Sequence, residues 1–197
     1  MKSRSEIRDS FRGHGRSRKA WSLLVTIGIA LSACLLQASP AAAVTLLNCT
    51  GSYSTTYDPG LTYDPQPVTY DTSSTYGQPG GLCLGGGAVK SGTSSLTDAQ
   101  LPSASCVDLL GSTVTGETTV TWNTGETSRY TWSSTAADVL GTLVTTTTGT
   151  VVEGKYLGGS VQRISIAPNL QVLENACNSP QGLTSDSGTV TLTIQSA

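Results

Sequence analysis

Apolar and polar positions alternate with a period of two along much of this chain, most clearly over Thr113–Ser134, TVTGETTVTWNTGETSRYTWSS. Val114, Val120, Trp122, Tyr130 and Trp132 fall on even positions, and Thr115, Thr119, Thr121, Arg129 and Thr131 on odd ones. That period sends one set to a buried face and the other into water. Asn123-Thr124-Gly125-Glu126 interrupts the run without changing its parity, which predicts a β-hairpin with a short Gly-containing loop. Both tryptophans beyond residue 43 lie here, so the centre of the core is expected here.

The same period predicts further strands on either side. Val44–Tyr57 places Leu47, Cys49, Gly51 and Tyr53 on one face, and Val68–Tyr76 places Val68, Tyr70, Thr72 and Tyr76 on one face. Asp58-Pro59-Gly60 between them has turn chemistry. Gly77–Gly87 reads as a loop around Cys83, Ala88–Leu96 as a short edge strand, and Asp98–Leu110 as a loop or a helical turn. Val139–Val152 is a β-branched strand with Gly149 as a bulge candidate. Ser160–Ile166 is a strand with Ile164 and Ile166 inward, and Asn169–Cys177 a brief helix or an irregular crossing. Ser187–Gln195 closes the series with Val190, Leu192 and Ile194 inward. Seven to nine short strands joined by Gly/Pro/Asp turns predict one all-β domain over residues 44–197. A two-sheet antiparallel sandwich of immunoglobulin-like type is expected, with a closed barrel as the alternative.

Residues 1–43 have the layout of an export signal. Seven basic residues precede an apolar run from Trp21 to Leu36, and Ser39-Pro40-Ala41-Ala42-Ala43 supplies small residues for cleavage. The run is short for a membrane span, and no second one follows. Leu31-Ser32-Ala33-Cys34 offers a second reading, a lipobox in which Cys34 is acylated and anchors the protein to a membrane. Release after Ala43 gives a secreted protein; acylation gives a surface lipoprotein.

Removing that segment changes the composition. The only His, Phe and Met go with it, and four basic residues remain against eleven acidic ones, a net charge of −7. Nucleic acid and anionic membranes are therefore not expected partners. Catalysis by a His-activated nucleophile is excluded. No cofactor or metal is expected, since Cys-x-x-Cys spacing is lacking. Cys49, Cys83, Cys106 and Cys177 read as two disulfides of an exported protein. Four cysteines allow three pairings; Cys83–Cys106 and Cys49–Cys177 are the expected ones.

Cys49-Thr50-Gly51, the Tyr57–Thr62 turn YDPGLT, the hairpin Thr121–Ser128, and Cys177 followed by Gly182-Leu183-Thr184 and Gly188–Ile194 carry a resemblance. On these motifs, residues 44–197 resemble a group of small exported actinobacterial β-rich proteins of uncharacterised function. The resemblance implies a fold and a cysteine framework, and no active site.

Candidate chemistry is sparse. Tyr-Asp recurs at Tyr57-Asp58, Tyr63-Asp64 and Tyr70-Asp71. Rings beside acceptors can stack and bond sugars, so these six residues are the candidate ligand contacts. The plainer reading is that Tyr favours strands and Asp-Pro favours turns. Glu117 and Glu126 are the candidate pair for a two-carboxylate hydrolase. The expected function is a non-enzymatic binding module at or outside the cell surface, with carbohydrate or another surface protein as partner. A purely structural extracellular component and the hydrolase are the alternatives.

Overall fold

The computed structural model describes residues 43–167 and 169–197. The expected export signal over residues 1–43 and the alternative of acylation at Cys34 lie, Ala43 aside, outside the described residues. Nine strands are present: β1 (Thr45–Leu61), β2 (Gln66–Gly77), β3 (Cys83–Gly85), β4 (Ser91–Ala104), β5 (Thr113–Trp122), β6 (Thr127–Val139), β7 (Thr142–Gly154), β8 (Ser160–Ala167) and β9 (Leu183–Gln195). Among the described residues one helix, α1 (Leu170–Cys177), links β8 to β9, and a 3-10 turn at Val107–Leu109 links β4 to β5.

The strands form a closed antiparallel barrel, not the expected two-sheet sandwich. The order is β2-β4-β5-β6-β7-β8-β9-β1, and β1 pairs back to β2. The 17-residue β1 makes closure possible. One of its edges pairs with β9 over most of its length, while the other pairs first with the short β3 and then with β2. Apart from β3, each strand neighbours the next in sequence, so no strand crosses between sheets and nothing immunoglobulin-like remains. Closure also covers most of the edges that an open sheet must protect.

An eight-stranded bore is just wide enough for side chains to fill it, or for one small ligand. This barrel is filled by side chains at one end and open beyond it. Towards one end Leu47, Val120, Trp122, Tyr130, Val151, Leu192 and Ile194 pack into a buried cluster. Towards the other, a second cluster joins Leu61, Val68 and Leu143 to Leu170 and Leu173 of α1. The hairpin parity holds: Val120, Trp122 and Tyr130 are buried. Each tryptophan lies across a glycine on the neighbouring strand, Trp122 opposite Gly92 and Trp132 opposite Gly116. A Cβ on Gly92 would come within 2.5 Å of the Trp122 ring, and one on Gly116 within 2.6 Å of the Trp132 ring. These glycines leave room for the rings to lie flat against the wall.

Several expectations need correction. The disulfides are Cys49–Cys83 and Cys106–Cys177. Cys49 and Cys83 stand directly opposite each other on β1 and β3 at the filled end. Cys106 enters the 3-10 turn and Cys177 ends α1, so the second bond joins the two covers of the other end. The pairing Cys83–Cys106 would have had to span the length of the barrel. From Ser91 onward the Ala88–Leu96 stretch is the start of the 14-residue β4, which pairs with β2 on one side and, over Gly92–Ser94, with β5 on the other, so it is not a short edge strand. Gly149 pairs regularly with Trp132, and the irregularity falls beside Val152, because Arg129 faces Glu153 while Tyr130 faces Val151. On β8 the parity is reversed: Val161, Ser165 and Ala167 are buried, whereas Ile166 is 40% exposed. Pairing sets this, since Arg163 stands opposite Leu192 and Val161 opposite Ile194, whose side chains point inward.

Two disulfides fit a non-reducing compartment. Among the described residues, no helix is long and apolar enough to cross a membrane.

Candidate functional site: the bore of the barrel

Between the two clusters lies a cavity of about 570 Å³, within the usual size of small-molecule sites. Its walls come from every strand of the barrel. Tyr53, Tyr57, Tyr70 and Trp132 supply rings, and Thr55, Thr72, Ser134, Thr145 and Thr147 supply hydroxyls. Small β-branched and hydroxylic side chains stand where the filled end has Leu, Val and Trp, and that difference in volume leaves the space open. The hydroxyls bond one another around the wall: Thr55 Oγ1 donates to Thr72 Oγ1 at 3.1 Å, and Ser134 Oγ and Thr147 Oγ1 are 2.9 Å apart. The Trp132 indole N–H donates to Thr118 Oγ1 at 2.9 Å, fixing the ring against the wall.

Arg163 forms the floor. Its side chain leaves β8 and reaches across to β2, where Nε donates to Tyr76 Oη at 3.3 Å and Nη2 to Ser74 Oγ at 3.1 Å; Nη1 donates to Ser165 Oγ on its own strand. The guanidinium lies over the Tyr53 ring, 5.6 Å from its centroid, in cation–π range. Tyr76 belongs to the filled cluster, so Arg163 is the boundary between packed core and open bore.

Asp186 is the carboxylate of the wall. It is 9% exposed, and its Oδ2 accepts the Tyr57 hydroxyl at 2.7 Å. Its Oδ1 is buried with no hydrogen-bond partner. Burial raises the pKa of Asp186 above the ordinary carboxylate value, against the opposing pull of the Tyr57 and Tyr53 hydroxyls and of Arg163. Burial and the nearby Asp186 charge likewise push the Tyr53 and Tyr57 phenols up, so both stay protonated as donors. Burial raises Tyr70 in the same direction.

The wall has an opening. Only Gly92–Ser94 of β4 pair with Val120–Trp122 of β5. Beyond them the strands part, leaving the facing edges of residues 95–104 and 113–119 without ladder partners. Ser95 and Thr115, which are exposed, line the cavity together with Leu96, Leu101 and Val114. The bore therefore reaches solvent sideways through this slit, near the 3-10 turn. At its upper rim Asp108 is occupied locally, accepting the Ser105 backbone N–H at 2.8 Å and the Ser105 hydroxyl at 2.7 Å.

The six Tyr-Asp residues do not share one face. Tyr57 and Tyr70 stand opposite each other on β1 and β2 and both line the bore. Tyr63 lies outside, in a shallow apolar hollow between the 3-10 turn and α1. Asp58, Asp64 and Asp71 are exposed. Asp71 Oδ1 accepts the backbone N–H of Asp98 at 2.7 Å, at an irregularity in the β2–β4 ladder. Glu117 and Glu126 are also outside: Glu117 pairs with Arg129 at 2.9 Å and Glu126 with Lys155 at 2.9 Å, both as exposed surface ion pairs. Sequence reasoning missed Arg163, Asp186, Thr72 and Thr147 as site residues. The signal available was a lone arginine within the otherwise uncharged strand Ser160–Ala167.

No protein-family model matches the chain, and no curated protein or solved structure is detectably similar to it.

Proposed function

We propose that this is an exported, non-enzymatic binding protein that holds a small molecule in the bore of its barrel. The observation that carries this reading is the cavity of about 570 Å³ floored by Arg163 and walled by aromatic rings and hydroxyls. Natural barrels of this size can be packed solid. Here half the bore is packed and half is left open, and the open half gathers the polar groups that would orient a ligand. Tyr57 and Tyr70 keep the ligand-contact role expected of them, while Tyr63 and the three aspartates drop out of it. Carbohydrate fits this reading only as a small sugar inside the bore. Binding is favoured over hydrolysis because Glu117 and Glu126 lie on the outer surface, paired with cations. The two disulfides support an extracytoplasmic setting.

A cavity-filling variant tests the reading. Thr72→Phe places a ring in the bore without touching the outer surface. Fragments with one or two aromatic rings, screened by calorimetry, are expected to bind the wild-type protein and to lose binding about tenfold or more to a Thr72→Phe protein of unchanged melting temperature. Binding that survives the filled bore would place the site elsewhere and overturn the reading.

A further inference from the structure

Inside the bore, away from the exposed Asp108 at its rim, one cation and one carboxylate face the cavity without pairing. Among the described residues, the ion pairs within 4.0 Å join Arg129 to Glu117 and Glu153, and Lys155 to Glu126; Arg163 and Asp186 form none. Instead each has its own neutral partners. Arg163 donates to the hydroxyls of Ser74, Tyr76 and Ser165. Asp186 accepts from Tyr57 through Oδ2 and has the Tyr53 hydroxyl nearby, and its Oδ1 makes no hydrogen bond. Tyr53 stands between them, with Arg163 over its ring and Gly188, two residues along from Asp186, against its edge.

Two opposite charges in one low-dielectric space gain most by direct contact, unless something else fills the gap. A guanidinium carries five N–H groups, and three hydrogen bonds leave donors to spare. An unpartnered buried carboxylate oxygen costs free energy until a donor reaches it. The interior of the bore, with Asp108 set apart at its exposed rim, holds one positive charge against one negative. A ligand with a net charge would leave that charge uncompensated inside the protein, which is costly.

We infer that the bore selects a net-neutral, dipolar ligand with an aromatic or apolar body, its acceptor directed to Arg163 and its donor to Asp186. This rests on the bore being the binding site and adds the chemical class of what it binds. The separation of Arg163 from Asp186 sets the polarity of the ligand, and the rings of Tyr57, Tyr70 and Trp132 set its middle.

Three probes with one ring system test it: indole-3-acetamide, neutral with donor and acceptor; indole-3-acetate, anionic; and tryptamine, cationic. Calorimetry at neutral pH is expected to show the amide binding the wild-type protein about tenfold tighter than either charged probe. Asp186→Asn leaves the bore with a net positive charge and is expected to move the preference to the acetate. Arg163→Met leaves it negative and is expected to move the preference to tryptamine. Asp186→Asn keeps the shape and an acceptor for Tyr57, so it decides the matter even where Arg163→Met fails to fold. A wild-type preference for either charged probe, or equal binding of all three, overturns the inference while leaving the bore as a site. Unaltered ranking in Asp186→Asn overturns it as well. Loss of all three probes, together with fragment binding that survives Thr72→Phe, overturns the site itself.

Discussion

A guanidinium inside a barrel loses several kcal/mol of hydration unless its donors and its charge are both met. Arg163 meets the first demand with three hydroxyls and the second with the Tyr53 ring and the more distant Asp186. Asp186 is the residue whose protonation should be visible in stability. Its folded pKa is raised by burial above the unfolded value. Its contribution is therefore fully present below the unfolded value and is lost as pH rises through the raised one. Asp186→Asn has no such loss. Its melting temperature relative to wild type is expected to rise between about pH 3 and about pH 7; a relative fall over that range would mean that the ionised carboxylate is the better-stabilised form. Gly116 carries a second residue-scale prediction. A methyl group there meets the Trp132 ring at 2.6 Å. Gly116→Ala is expected to cost about 1–3 kcal/mol in chemical denaturation and to change Trp132 emission. Wild-type stability and emission would show that the ring can give way.

At the scale of elements, the hairpin β5–β6 was legible because Val120, Trp122 and Tyr130 are large and keep one parity through a short loop. β9 was legible for the same reason. β8 was misread because Ile164 and Ile166 are more apolar than Arg163 and Ser165, and a reader of single strands turns the apolar set inward. The inward face of β8 is chosen by its neighbour: Leu192 and Ile194 are fixed inward, and pairing carries Arg163 and Val161 with them. Where an open bore replaces packed core, inward positions turn polar, so the site hides from hydrophobic patterning. The parting of β4 and β5 was illegible too, since their sequences give no sign of where the ladder stops. It has a measurable consequence. Half the amides of residues 113–119 point away from β6 and have no strand to meet. These are expected to exchange hydrogen at least about tenfold faster than their neighbours that face β6. Uniform protection along β5 would mean that the slit is closed.

At the scale of the whole molecule, the expected sandwich and the observed barrel use the same strands. What separates them is the pairing of β1 with both β9 and β2, a long-range choice that local alternation does not encode. Disulfide connectivity is equally non-local: the four cysteines were legible as two bonds, but which end of the barrel each one closes was not. Cys106–Cys177 spans 71 residues and holds the 3-10 turn to α1. Replacing both cysteines with serine is expected to destabilise the fold by about 4 kcal/mol in the chain-entropy limit. Denaturant titration checks this, and an unchanged midpoint would show that apolar packing at that end suffices alone.

Each tryptophan of the barrel reports on a different half of it. Trp132 lines the open bore, its indole N–H on Thr118, while Trp122 is packed in the filled end with its N–H on Ser128 at 2.8 Å. The most direct measurement is therefore an NMR titration of the two indole N–H signals with indole-3-acetamide. Binding in the bore predicts a saturable shift of the Trp132 signal with the Trp122 signal nearly still. A Trp132 signal that stays in place while backbone amides on the outer surface move would contradict the account.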